Sequence, residues 1–125
     1  MNEIRGLREA QAILGPFCLS EFSTVCELRF YYCKSEAQPA AMLEMVLQSE
    51  GKDRDFRMHL RFAGVTGLRL EGFGSALTQI MGFEIADIAD RGWEGLFWRI
   101  GDYEDDKIEF FCHTAEIAWV KPILP

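Results

Sequence analysis

The 125-residue sequence is poor in the groups on which catalysis and metal binding depend. It has two histidines, His59 and His113, and only His113 sits beside a cysteine, Cys112. Neighbours along a strand point to opposite faces, so that pair is no nucleophile and base. The four cysteines, Cys18, Cys26, Cys33 and Cys112, stand singly in apolar segments without CxxC spacing. That excludes a clustered zinc site and predicts reduced thiols, mostly buried as small hydrophobes. No apolar run reaches the roughly 18 to 20 residues of a membrane span. The first residues, MNEIRGLREA, also lack the charged-then-apolar order of a signal peptide, so a cytoplasmic location is expected. The glycines do not form a phosphate-binding loop: "GFGSA" at 72–76 lacks GxxxxGK[ST]. "DYEDD" lacks the central glycine of a calcium loop, and its twelfth position counted from Asp102 is His113 rather than glutamate, which leaves at most a weak adventitious calcium site. The expectation is a protein with no catalytic residues, no cofactor and no metal.

Basic residues are also scarce, but only in one half. Residues 1–70 hold nine acids and nine bases; from residue 71 onward eleven acids face four bases, Arg91, Arg99, Lys107 and Lys121, which accounts for the whole net charge of −7. A field of that sign repels nucleic acid and membrane phosphates and speeds encounter with a cationic protein.

What is plentiful is apolar and aromatic material, 49% and 13% of the chain, enough for one core in a single domain spanning 1–125. Ile4, Leu7, Ala10, Gln11 and Leu14 recur at helical spacing between Asn2, a potential cap, and Gly15-Pro16, predicting an amphipathic helix over 3–14. After it the period falls to two. In "DFRMHLRF" Phe56, Met58, Leu60 and Phe62 share one face and Arg57, His59 and Arg61 the other. Further strands are expected at about 22–34, with Cys26, Leu28, Phe30 and Tyr32 on one face, at about 41–49, and in "LRLEGF", with Leu68 and Leu70 inward. "GSALTQIMG" reads as a short helical turn, followed by strands at about 82–89, 95–102 and 107–120, the last bent or split near Thr114. Short turns between them favour antiparallel pairing. The fold class is α+β: a mainly antiparallel sheet, twisted into a sandwich or half-barrel, with an N-terminal helix packed against it.

"WEGLFWRIGDYEDDKIEFF", residues 93–111, holds six acids among its aromatics. "GDYEDDK" connects two strands whose apolar residues fall on both faces, Phe97 and Phe111 as well as Trp98 and Phe110, so these strands should be central or carry the face that meets a helix or a partner. Asp102, Glu104, Asp105 and Asp106 are then either a solvated turn or a partner-facing patch. In "DIADRGWEG" the acids Asp87, Asp90 and Glu94 flank Trp93, which is either tucked onto the core or a contact residue. With Glu84 these residues make the candidate partner-binding surface. Arg57, Arg61 and Arg69, with His59, form the one basic stripe, expected to pair with acids on neighbouring strands. A different use of the aromatics remains open: a small-ligand-binding or hydrolytic β-barrel, its cavity lined by Tyr31, Tyr32, Phe97 and Trp98. So does a homodimer joined through the second apolar face.

The run "LRFAGVTGLRLEGFGSALTQIMGFEIADI" resembles bacterial immunity proteins of polymorphic toxin systems, in particular the immunity protein fifty group and related small bacterial proteins. There a Phe-x-Gly-Val strand end leads to a Leu-x-Leu-x-Gly-Phe strand, a connector and a second apolar strand. Phe62, Gly64, Val65, Leu68, Leu70, Gly72, Phe73, Ile80, Phe83 and Ile85 occupy those places, and "FFCHTAEI" resembles a later Phe-x-Cys element. The likeness covers about residues 56–117 and leaves the helix of 3–14 without a counterpart. It implies a small, acidic, cofactor-free cytoplasmic protein that neutralises a cognate toxin by occluding it. Combined with the charge, it points to a basic partner such as a nuclease.

Overall fold

The computed structural model describes residues 4–34, 40–49, 55–92 and 94–123. The period-two segments become eight strands: β1 (Thr24–Cys33), β2 (Ala40–Gln48), β3 (Phe56–Ala63), β4 (Thr66–Leu70), β5 (Phe83–Asp87), β6 (Trp98–Asp102), β7 (Ile108–Cys112) and β8 (Thr114–Pro122). They form two four-stranded antiparallel sheets, ordered β1-β2-β3-β8 and β4-β7-β6-β5. With one helix, α1 (Leu7–Leu14), the class is α+β as the patterning indicated, and no barrel closes.

Two strand pairs belong to both sheets. β3 runs into β4 through Gly64 and Val65, and β7 into β8 through His113. The bends lie side by side, with the His113 amide donating to the Ala63 carbonyl at 2.9 Å. The split expected near Thr114 therefore falls one residue earlier. β6 and β7 are the central strands of their sheet, one of the placements their doubly apolar composition allowed. Between the sheets lies one core. Leu43, Met45 and Leu47 of β2 and Met58, Leu60 and Phe62 of β3 are fully buried against Ile100, Ile108 and Phe110 of the other sheet. Phe62 meets Phe110 edge-on, ring centroids 5.0 Å apart. Each such side chain contributes about 1.5–3 kcal/mol by leaving water.

The helix begins four residues later than its apolar spacing suggests. Gly6 is left-handed, φ 83°, and a Cβ there would lie 2.0 Å from the Ile117 carbonyl oxygen. The chain passes that close because Arg5 pairs with β8, its amide donating to Ala115 and its carbonyl accepting from Ile117 at 2.7 Å. Strand pairing takes the backbone groups a longer helix would use. Asn2, the expected cap, lies outside the described residues.

Three further expectations change. A bulge between Val25 and Glu27 turns Cys26 away from Leu28, to an exposed position where its thiol meets Gln48 Oε1 at 3.6 Å. Cys18 is exposed too and Cys33 half-buried, so of the four free thiols only Cys112 is buried. "GSALTQIMG" forms no helix. Its backbone is captured by the edge of β1, where Val25 N donates to Thr78 O at 2.9 Å and Ile80 N to Ser23 O at 2.7 Å, with Ile80 fully buried. Leu68 packs on the core, but Leu70 at the end of β4 is exposed.

Candidate functional site

The β6–β7 connection is a tight hairpin organised by one carboxylate. Asp102 is only 4% exposed. Its Oδ1 accepts from the amides of Gly82, Glu104 and Asp105 at 3.0–3.3 Å, and its Oδ2 from Lys107 N at 3.2 Å. Burial alone would push this carboxyl's pKa up; the four amide donors outweigh it and hold the pKa below the ordinary value. Asp102 therefore shapes the loop from within and is not a partner-facing acid, which corrects its place in the sequence-derived set. Gly82 is part of the same clamp. A Cβ at Gly82 would sit 2.7 Å from Glu104 N, and its carbonyl accepts from Tyr103 N at 3.0 Å. The outcome is a fixed tip that turns Tyr103, 60% exposed, together with Glu104 and Asp105, outward.

The other acids divide sharply. On the outer face of the β4-β7-β6-β5 sheet, Arg99 holds Glu109 through two hydrogen bonds, the shorter 2.6 Å, and lies 3.7 Å from Glu84. Arg69 reaches Asp106 at 3.3 Å, Glu71 at 3.8 Å and Glu109 at 3.9 Å. Glu84 and Asp106 are therefore matched to arginines. Asp87, Asp90, Glu94, Glu104 and Asp105 make no ion pair among the described residues. They are not one cluster. Asp87, Asp90 and Glu94 belong to the β5–β6 connection, where Asp87 Oδ1 caps Ala89 N at 2.9 Å, at the opposite end of the hairpin from Glu104 and Asp105. Five-residue strands separate the two ends by about 15 Å. Trp93 lies outside the described residues.

The basic stripe pairs with acids only in part: Arg69 belongs to the other sheet, and among the described residues Arg57 donates to Gln48 Oε1 at 3.3 Å and not to an acid. On the outer face of the β1-β2-β3-β8 sheet, Arg61 Nη1 binds Glu116 at 3.0 Å and its Nε stands 3.8 Å from Glu44. Glu44, one partner of Arg61, is a hub the sequence did not single out. Tyr31 Oη donates to Glu44 Oε2, His59 Nε2 lies 2.7 Å from Oε1, and Trp119 meets the His59 ring edge-on at 5.4 Å. The Tyr31 hydroxyl, chiefly, then His59 and Arg61, hold Glu44 below its usual pKa against the opposing effect of burial; the same bond raises Tyr31. The signal was present in the sequence: Glu44 is the one charged residue in β2, which is apolar but for Gln48 at its end.

The aromatics considered for a ligand cavity do not converge. Phe97 and Trp98 line an open cleft of about 210 Å³ with Arg61, His113 and Thr114, and Phe97 stacks on His113 at 5.0 Å. Tyr31 belongs to the Glu44 cluster and Tyr32 projects into solvent. Among the described residues no group of three or more His, Cys, Asp or Glu is placed to hold a metal, and no helix is long and apolar enough to cross a membrane.

A site without converging catalytic groups, carried on a β scaffold, meets a matching family: the model of immunity protein PIM8 matches residues 18–118. The chain belongs to the PIM8 immunity-protein family. The immunity class implied by the sequence resemblance is thus borne out, with PIM8 as the family. The PIM8 match begins just before β1 and ends within β8, so it takes in both sheets, the Asp102 hairpin and the Glu44 cluster and leaves α1 outside. No curated protein and no solved structure is significantly similar.

Proposed function

We propose that this protein neutralises a cognate toxin by binding it directly, without catalysis, through the acidic end of the β6–β7 hairpin. The partner surface it fits is basic, as a nuclease's substrate-binding face is. The observation that carries this reading is the clamped tip: Asp102 fixes the loop, Tyr103, Glu104 and Asp105 project from it, and neither carboxylate makes an ion pair among the described residues. A rigid exposed tyrosine flanked by unpaired carboxylates combines a residue type that dominates binding energies with charge that steers encounter, and it costs little ordering on association. Asp87, Asp90 and Glu94 extend the negative field from the other end of the hairpin. Glu84 and Asp106, already paired with arginines, contribute less.

The test is association with the co-encoded toxin followed by stopped flow across salt concentrations. Exposed charges lose each other beyond about 8–10 Å at physiological ionic strength, so the association rate should fall at least tenfold between about 20 mM and 500 mM salt. Absence of a complex at low salt refutes direct binding; a complex whose association rate ignores salt refutes the acidic steering.

A further inference from the structure

Most free strand edges in this fold are short. β4 and β5 have five residues each, and the outer edge of β8 is paired with Arg5 at Ala115 and Ile117 and packed by α1. β1 is different. It has ten residues and stands at the edge of its sheet; at its start Thr24 bridges Gln79 and Val25 binds Thr78. From Glu27 to Tyr32 the register with β2 is regular, and among the described residues no strand lies beside the alternate backbone groups that face away from β2. Long open edges are normally blunted by proline, lysine or inward-pointing charge. Glu27–Tyr32 has no proline or lysine, its two charges, Glu27 and Arg29, lie on the outer face, and the bulge sits before it, between Val25 and Glu27. It carries instead Phe30 and Tyr32, 53% and 63% exposed, on the face that continues the core side of the sheet.

We propose that this edge is the interface with a second copy of the chain, β1 pairing antiparallel with the partner's β1 about a two-fold axis so that the two sheets become one. Face matching and charge select the register. Residues directly opposite each other in such a ladder share a face, so odd positions must meet odd and even meet even. Centring the axis on Arg29 sets like charges opposite each other, which is unfavourable. Centring it on Leu28 runs Tyr32 into the partner's Thr24, an edge already held by the 78–80 segment, and brings Phe30 against the bulge at Cys26. Centring it on Phe30 avoids both. Phe30 then lies opposite the partner's Phe30, Leu28 opposite the partner's Tyr32, and Arg29 opposite the partner's Tyr31. The last repeats across the axis a pairing the single chain already makes, with the Arg29 guanidinium 4.5 Å over the Tyr31 ring. The charge distribution permits it: residues 1–70 are electrically balanced, and the acids of the β6–β7 tip belong to the other sheet, free for a different partner.

The full chain, measured by light scattering after size exclusion from about 1 to 300 μM, should pass from monomer to dimer. Phe30→Lys and Tyr32→Lys, each at an exposed position and each checked by circular dichroism for an unchanged fold, should shift the midpoint to at least tenfold higher concentration. With Cys26→Ser and Cys33→Ser as background, Phe30→Cys should cross-link to itself under mild oxidation, and Leu28→Cys should not. A chain monomeric at every concentration, a dimer indifferent to both lysine variants, or stronger cross-linking at 28 than at 30 would each overturn the proposal. If the chain is monomeric alone and amides 27–32 are protected from exchange only in the toxin complex, the edge belongs to the toxin and the second copy is refuted.

Discussion

Replacing Asp102 by asparagine tests whether the hairpin tip is built as described. The carboxylate accepts four amides, three on Oδ1 and one on Oδ2. Asparagine keeps one acceptor oxygen and puts an NH₂ where the other stood. Either Lys107 N or the Gly82–Glu104–Asp105 trio then faces a donor, and the bonds that survive lose their charge. Hydrogen bonds to a charged group are worth about 1.5–3 kcal/mol each, and an unsatisfied buried donor costs about 1–3 kcal/mol. With the surviving bonds only weakened, the expected loss is about 3 kcal/mol at pH 7. The loss should also depend on pH. The folded pKa of Asp102 is depressed below an unfolded value near 3.9, so its contribution is fully present above about pH 4 and is lost as pH falls through the folded value. Urea unfolding followed by tryptophan fluorescence, with Trp98 buried in the core, reads both effects. The difference between parent and Asp102→Asn should be near 3 kcal/mol at neutral pH and shrink towards pH 3. A difference under about 0.5 kcal/mol, or one flat in pH, refutes the clamp.

Gly82→Ala should cost about 1–3 kcal/mol, because the atom nearest the added Cβ is the Glu104 backbone amide, with the clamped Asp102 carboxylate close behind; denaturant titration checks it. Glu44→Gln should destabilise by about 1–2 kcal/mol at pH 7, by loss of the charge that Tyr31, His59 and Arg61 share, and the deficit should fade below about pH 4.5 because the folded Glu44 pKa is depressed. Burial pushes the Cys112 thiol up to about 12, so iodoacetamide at pH 8 should modify exposed Cys18 and Cys26 while Cys112 reacts only after unfolding, as peptide mass spectrometry would show.

The sheets were legible in the sequence because a half-buried strand writes itself as alternation: Phe56, Met58, Leu60 and Phe62 predict both the strand and the face that proves fully or half-buried. Double coverage of the β6–β7 pair was legible from Phe97, just ahead of β6, and Phe111, apolar where a one-sided strand would be polar; central placement is the form that coverage takes. What failed did so where tertiary partners overrode local preference. Gly6 ends helical propagation because Arg5 pairs with β8; 74–82 forms no helix because the start of β1 takes hydrogen bonds with Thr78 and Ile80; Cys26 turns outward because of a bulge with no composition of its own. The candidate surface was half legible. The abundance of acids could be counted, but which carboxylates are spent on Arg69, Arg99 or backbone amides depends on register between strands distant in sequence. Asp102 and Glu104, two positions apart, are one buried and one exposed for that reason.

The most direct measurement is toxin affinity after charge reversals that alter net charge equally. Glu104→Lys with Asp105→Lys, at the clamped tip, is compared with Glu21→Lys and Glu27→Lys, exposed acids ahead of β2. If the tip is the recognition surface, the first pair should weaken binding at least a hundredfold and the second less than fivefold. Equal losses in the two pairs would mean that only overall charge matters, and a larger loss at 21 and 27 would move the contact to the other sheet.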